Sequence, residues 1–254
     1  MKGILSFFYT IYALFWFAFF TLLAFPFVII FSFFGKHRGG NLICNMAWIW
    51  ADIWYFVLGI RHENIYESSY DPTQNYIFLF NHISYMDIPS LFKAIRKQPF
   101  RVLGKVEIKK IPVFGFIYSQ GAVMVDRGST QRRAKSVRVL KSLLKHHISI
   151  GIFPEGTFNE TGKPLKSFYD GAFRIAIETQ TPVKPVLFLD NYTLMNYHSL
   201  FSLKHGISRA VFLEDISPTG YSLLEISHFK QKVFNIMEEK LISYQADWIK
   251  SPEI

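Results

Sequence analysis

Asn81-His82-Ile83-Ser84-Tyr85-Met86-Asp87 sets a histidine and a carboxylate five positions apart, directly after the apolar run 76–80 and just before Pro89. A short buried strand running into a loop and then a helix is where α/β proteins put their chemistry. With His82 on the loop and Asp87 in the first turn after it, the carboxylate can hold one ring nitrogen. That fixes the tautomer and leaves the other nitrogen free to take a proton, as a general base does. The same seven residues also suit an Asn-His turn followed by an aspartate N-cap.

Other strand ends carry further candidates. Gly121-Ala122-Val123-Met124-Val125-Asp126-Arg127 reads as a strand ending in an arginine, whose planar fork suits a phosphate; a surface arginine on a turn is the plainer use. Phe153-Pro154-Glu155-Gly156-Thr157 follows the apolar run 148–152. Glu155 and the amides near Gly156 and Thr157 can shape a site, although Pro-Glu-Gly is also simply a good turn. Thr181-Pro182-Val183-Lys184-Pro185-Val186 puts two prolines at the start of a strand, where they are tolerated, and reads as architecture or a pocket wall. The single cysteine, Cys44, excludes an intrachain disulfide and a zinc site built on several cysteines. His146-His147 are adjacent on a basic helix and cannot both face one ligand, and His198 and His205 lie in an aromatic, loop-like stretch without a carboxylate cluster, so no metal site is suggested.

These groups need elements to position them. After residue 60, short apolar runs alternate with amphipathic stretches, the signature of an α/β domain. Strands are predicted over 75–80, 100–104, 121–125, 149–153, 183–189 and 209–214, and helices over 85–96, 107–118, 130–146, 169–180 and 227–246. The last helix has Ser227 as N-cap and Phe229, Val233, Ile236 and Leu241 on one face. The helix over 130–146 starts at Ser129 or Thr130 and carries Arg132, Arg133, Lys135, Arg138, Lys141 and Lys145. That face suits anionic headgroups or plain solvent.

Before residue 60 the chain is of another kind. Residues 3–35 contain no charged side chain, a run long enough to enter a bilayer and too long for a secretory h-region. Pro26 is expected to break or kink it. The basic turn Lys36-His37-Arg38-Gly39-Gly40 follows, then a weaker apolar segment over 41–60 with Trp48, Trp50 and Trp54, in which Asp52 argues against a plain span. Residues 1–60 therefore read as membrane-anchoring helices and 61–254 as the α/β domain. Fourteen Lys and Arg against two acids over 90–146, within a net charge of +9, point to anionic membrane or a phosphorylated lipid. No nucleic-acid motif is present. The basic turn and the basic domain belong on one side by the positive-inside rule, which favours a one-leaflet or re-entrant anchor with the site facing the cytoplasm.

Taken in order, Asn81-His82…Asp87, Gly121…Arg127, Phe153-Pro154-Glu155-Gly156-Thr157 and Val183-Lys184-Pro185-Val186 resemble the four sequence blocks of the glycerolipid acyltransferases. The match is to the 1-acylglycerol-3-phosphate acyltransferase (PlsC-like) family and covers residues 60–215. The resemblance implies a mixed central sheet flanked by helices, with an N-terminal membrane-embedded helical anchor. It makes His82 the general base and Asp87 the group that orients it. It assigns Arg127, Glu155, Gly156 and Thr157, with Lys105, to acceptor binding. The implied substrates are lysophosphatidic acid and an acyl thioester, either acyl-CoA or acyl carrier protein, handled among membrane lipids without a cofactor. One position departs from the pattern: the family usually has an arginine after Gly-Thr of the third block, and here Phe158 stands there. Lys163 or Lys166 can stand in for it, or the acceptor can be another lyso-lipid or glycerol 3-phosphate; a non-catalytic membrane-binding protein on the same scaffold is the alternative of a different class, against which the intact His82/Asp87 pair and Glu155 argue. Ser84 is not required as an acyl carrier.

Overall fold

The computed structural model describes residues 2–125 and 130–249. Helix α1 (Lys2–Ser32) contains 31 residues. At 1.5 Å per residue it is about 46 Å long, more than the roughly 30 Å hydrocarbon core of a bilayer. Within Ile4–Ser32 an 18-residue window has a mean hydropathy of 2.5 and is mostly exposed, while Thr10, Ala13 and Val28 are buried against the rest of the protein. By length and composition it is the one described helix able to cross a membrane. Pro26 lies inside it, and of the expected break or kink the break is absent. A proline removes one i→i−4 hydrogen bond, which an otherwise uninterrupted apolar helix absorbs by local adjustment.

The chain reverses instead at Gly35 (φ 75°) and a single π-helical turn, Gly35–Gly39. Only glycine fits at 39, because a Cβ there would lie 2.0 Å from the Phe31 carbonyl oxygen. Helix α2 (Gly40–Val57) then runs back along α1, with the Trp54 indole donating to the Ala13 carbonyl at 3.0 Å. Its Ile43, Cys44, Ala51, Trp54 and Tyr55 are buried. Asp52 accepts from Lys93 and Arg96, which explains an acid within an apolar stretch. Arg101, one of the basic block, is buried: its guanidinium donates to the carbonyls of Lys36 and His37 (3.2 Å each) and to Asn41 Oδ1 (2.7 Å). It latches the reversal to the α/β domain.

The sheet has seven strands: β1 (Arg61–Tyr66), β2 (Ile77–Phe80), β3 (Phe100–Lys105), β4 (Ala122–Val125), β5 (Ser149–Ile152), β6 (Val183–Phe188) and β7 (Ile207–Phe212), in the order β1-β7-β6-β2-β5-β3-β4. From β6 to β4 all neighbours are parallel. β7 runs antiparallel to β6 and pairs parallel with β1. The sheet is thus mixed, as expected. Every residue of β2, β5 and β6 is buried, which is why these strands read as apolar runs. β1, Arg-His-Glu-Asn-Ile-Tyr, leaves no such trace, because an edge strand can stay polar and half solvated.

Helices α3 (Asp87–Ala94), α4 (Phe114–Gly121), α5 (Thr130–Lys145), α6 (Gly171–Thr179), α7 (Asn191–Leu194) and α8 (Ile226–Ser243) complete the chain. The helix predicted over 107–118 is two pieces, a 3₁₀ turn Val106–Lys110 and α4. Pro112 and a positive φ at Val113 (61°) separate them. Ser227 lies inside α8; a reciprocal capping box of Ser222 and Glu225 opens the preceding 3₁₀ turn Leu223–Glu225. α8 buries Phe229, Val233, Met237 and Leu241, four residues apart, while Ile236 is only partly buried. Pro185 sits in the interior strand β6. It is tolerated because pairing with β7 begins only at Val186, and its carbonyl accepts from Leu213 N–H at 3.1 Å. Residues 126–129, and with them Arg127 and Ser129, lie outside the described residues, as do the side chains of Arg132, Arg133 and Lys135.

Candidate active site

Three parallel strands deliver the site from their C-terminal ends, where β2 leads to His82, β5 to Glu155 and β6 to Asn191. Asn81 stitches two of them together. Its Nδ2 donates to the Phe188 carbonyl at 3.0 Å, and Phe188 N–H donates back to Oδ1 at 2.8 Å. His82 then turns outward with its backbone held on both sides: its N–H donates to Glu155 Oε1 (2.9 Å) and its carbonyl accepts from Asn159 N–H (2.7 Å).

Asp87, fully buried at the start of α3, gathers four donors. Oδ2 accepts from His82 Nδ1 (2.8 Å), Ile83 N–H (2.8 Å) and Ser84 N–H (2.9 Å), and Oδ1 accepts from Asn191 Nδ2 (2.9 Å). The aspartate N-cap that the sequence also allows is absent: Met86 is the N-cap of α3, without a side-chain cap bond, and Asp87 turns back to the loop and the histidine instead. A carboxylate can only accept, so the proton sits on Nδ1 and the Nε2 lone pair is left free; among the described residues Nε2 has no hydrogen-bond partner. Burying a lone carboxylate costs several kcal/mol, and only a full set of donors offsets it. Ser84 Oγ is committed elsewhere, donating to the Met195 carbonyl and accepting from Met86 N–H at 2.9 Å.

Behind Asp87 a buried polar chain continues, which the sequence reading missed. Asn191 Oδ1 accepts from Ser90 Oγ (2.9 Å), and Ser90 Oγ lies 2.8 Å from the hydroxyl of Tyr55 on α2. Ser208 Oγ joins at 3.2 Å from Ser90 and 3.3 Å from His62 Nδ1. Burial holds the His62 imidazole down at about 4, so it stays neutral, with Nε2 donating to Asn64 Oδ1 at 2.8 Å. One signal for Asn191 did exist: Leu189-Asp190-Asn191 closes an apolar strand just as Asn81-His82 does. Asn191→Leu is expected to lower kcat about tenfold or more with little change in KM, since a hydrogen bond to a charged group is worth about 1.5–3 kcal/mol. Steady-state kinetics alongside a thermal melt would check this.

Glu155 does not face substrate space. It is buried, and its second oxygen accepts from Lys166 N–H at 2.8 Å, so the carboxyl braces the loop after β5 against His82. Burial pushes it up to about 8, against the downward pull of the two amide donors. Gly156, at φ 73°, lines the same cavity as His82. Thr157 turns away from it and accepts from Lys166 Nζ at 2.8 Å. The Phe158 ring centroid lies 4.5 Å from that of the His82 imidazole and the Phe153 centroid 4.3 Å, so the imidazole contacts two aromatic rings.

His82 opens onto a cavity of about 550 Å³, within the range of small-molecule sites. Its walls are overwhelmingly apolar and come from both parts of the chain: Ala13, Phe17 and Thr21 of α1, Cys44, Ala47 and Trp50 of α2, and Phe92, Phe100, Ile117 and Tyr118 of the α/β domain. Lys105, at the end of β3, stands on the same wall. The fold therefore brings His82, Lys105, Gly156 and Phe158 to one space, with Asp87 and Glu155 behind it. Residues 181–186 do not line it. Among the described residues no three His, Cys, Asp or Glu side chains stand together as a metal cage would need.

Residues 60–189, from one residue before β1 to one residue past β6, match the family model described as acyltransferase. The chain belongs to the acyltransferase family. Among curated members, the 1-acyl-sn-glycerol-3-phosphate acyltransferase of Escherichia coli (strain K12) is 30% identical over 169 residues, 66% of this chain and 67% of that one. The chloroplastic 1-acyl-sn-glycerol-3-phosphate acyltransferase of Brassica napus is 31% identical over 149 residues, 58% of this chain and 42% of its own length. The chain thus spans less than half of that longer relative. The crystal structure of the 1-acyl-sn-glycerophosphate acyltransferase PlsC from Thermotoga maritima superposes with a TM-score of 0.76 over 98% of this chain and 100% of that one, at 23% identity, so the fold is shared from end to end. In this acyltransferase-family chain every described candidate, His82, Asp87, Lys105 and Glu155 to Thr157, falls inside the family match. Asn191 lies just beyond it.

Proposed function

We propose that the protein transfers a fatty acyl chain from a thioester to the free sn-2 hydroxyl of 1-acylglycerol 3-phosphate, giving phosphatidic acid. The observation that carries this reading is the His82 Nδ1 to Asp87 Oδ2 contact at 2.8 Å, opening on an apolar cavity large enough for acyl chains. Nε2 takes the proton of the acceptor hydroxyl as that oxygen attacks the thioester carbonyl, and Asp87 stabilises the imidazolium that forms. The tetrahedral intermediate then collapses, the carbon–sulfur bond breaks, and the departing thiolate recovers the proton from His82. Ester and thiol are the only products. General-base help of this kind supplies about 10²–10⁴ in rate. The commitment of Ser84 Oγ to Met195 supports direct transfer over an acyl-serine intermediate.

Arg127 and Lys105 hold the acceptor phosphate in this reading, and Gly156 with Phe158 forms the wall beside the glycerol. Glu155 and Thr157 act from behind, by fixing that wall. α1 lies in the membrane with the α/β domain on the cytoplasmic face, where the +9 net charge meets anionic lipid. The names of the E. coli and B. napus relatives support the same substrate pair. A panel assay tests it: thiol release from a long-chain acyl thioester by detergent-purified protein, without acceptor and with different lyso-lipids. Release that depends on lysophosphatidic acid is expected. Release without any acceptor would mean a hydrolase, and preference for another lyso-lipid would overturn the acceptor assignment and point to Phe158.

A further inference from the structure

Phe153 is the first residue after β5, and its ring lies against the face of the His82 imidazole. The two centroids are 4.3 Å apart and the planes 31° from parallel. At that spacing and tilt the imidazole overlaps the π face of Phe153, whereas Phe158, at 61°, makes an edge contact. A column of rings holds Phe153 in place. Its centroid is 5.4 Å from that of Phe80, the last residue of β2, and Phe80 stacks on Phe188, the last residue of β6, at 5.3 Å and 8°. Phe80 and Phe188 are fully buried. β6, β2 and β5 are neighbours in the sheet, so three adjacent strand ends set one ring under the base. The surroundings of the imidazole are thereby divided: Asp87 holds the Nδ1 edge, Phe153 covers a face, and Nε2 has no partner among the described residues.

An aromatic face carries negative potential and attracts a cation lying within about 6 Å of its centroid. A neutral imidazole gains little from that field. An imidazolium gains more, most of all where water is scarce, as beside this apolar-walled cavity. His82 is charged only once it has taken the proton of the acceptor hydroxyl, so the stabilisation falls on the transition state and not on the resting enzyme. Asp87 acts in the plane of the ring, through Nδ1, and leaves that face to Phe153. We propose that Phe153 is a positioning residue for the reaction, its π face stabilising the imidazolium form of His82. The inference rests on the reading of His82 as general base. It adds a group, itself without a polar atom, that supports the charged form of that base.

The test replaces the Phe153 ring, in the full chain in detergent, by 4-fluoro-, 3,4,5-trifluoro- and pentafluorophenylalanine. Fluorine draws electron density off the π face with little change of shape, so the pull on a cation weakens stepwise while the packing stays. Kinetics against pH, with 1-acylglycerol 3-phosphate and a long-chain acyl thioester, are read beside thermal melts. The His82 ring signal, assigned by its loss in His82→Ala, is titrated by NMR on histidine-labelled protein without turnover. The titratable groups around the imidazole among the described residues are Asp87 on α3, Glu155 after β5, Lys105 on β3 and Tyr85 on the loop, and none is altered. Across the series kcat is expected to fall by about three- to tenfold with KM for both substrates unchanged. The charged form is the one that loses support, so the acid limb of kcat/KM and the NMR titration both move to lower pH. Phe153→Leu, which keeps an apolar side chain and removes the π face, is expected to behave like the pentafluoro variant. A titration that does not move, or a kcat that follows melting temperature instead of fluorine content, would overturn the proposal. Absence of lipid product from wild type with any donor would instead sink the transferase reading, and the titration would still decide whether Phe153 supports the imidazolium.

Discussion

His82→Ala is expected to lower kcat for lipid acylation by about 10²–10⁴, the range a positioned general base supplies. The loss should leave folding and membrane association intact. His82 is a loop residue whose side chain keeps 19% of its surface exposed and, among the described residues, makes one hydrogen bond, to Asp87. Its structural work is done by its backbone, through Glu155 and Asn159, and alanine keeps that backbone. The variant does leave Asp87 one donor short, but three remain. Kinetics, a thermal melt and flotation with vesicles would check the three parts together; a large drop in melting temperature would assign His82 a structural role.

Asp87→Asn is expected to cost as much activity and, unlike His82→Ala, to cost stability as well. The carboxylate accepts from four donors on two oxygens, whereas an amide has one oxygen and an NH₂ that can only donate. If the oxygen stays with His82, Ile83 and Ser84, the NH₂ faces Asn191 Nδ2, and two donors are left pointing at each other in a buried site. If it flips, three donors lose their acceptor. Either way the imidazolium formed during catalysis has no negative partner. In serine-protease triads the equivalent exchange costs about 10⁴ in kcat. An unsatisfied buried polar group costs about 1–3 kcal/mol, and each kcal/mol corresponds to roughly 2–4 °C in Tm at this size. A melt that matched wild type would contradict the four-donor account of Asp87.

Much of this was legible in the sequence, for identifiable reasons. Strands β2, β5 and β6 are interior and parallel, so burial on both faces forces continuous apolar runs, and their ends locate His82, Glu155 and Asn191. The five-residue spacing of His82 and Asp87 is local and needed only one turn of chain to become a contact. What escaped was long-range or polar. β1 owes its place to an edge pairing with β7 and carries no apolar pattern. Arg101 looks like one more exposed cation until the α1–α2 reversal arrives beside it. Glu155 looked like a ligand to substrate, yet burial and two amide donors make it a brace. Asn191 and Tyr55 meet Ser90 from sequence distances of 101 and 35 residues, which no local reading can anticipate. Pro26 does not break α1, and the reversal comes at Gly35 and Gly39.

The most direct measurement is the mass of the lipid formed from 1-acylglycerol 3-phosphate and a long-chain acyl thioester, by wild type and His82→Ala in parallel. Phosphatidic acid carrying the donor chain at the sn-2 position, formed by wild type and lost in the variant, is the expected result. Phosphatidic acid formed equally by the folded variant, or free fatty acid as the sole product of wild type, would contradict it.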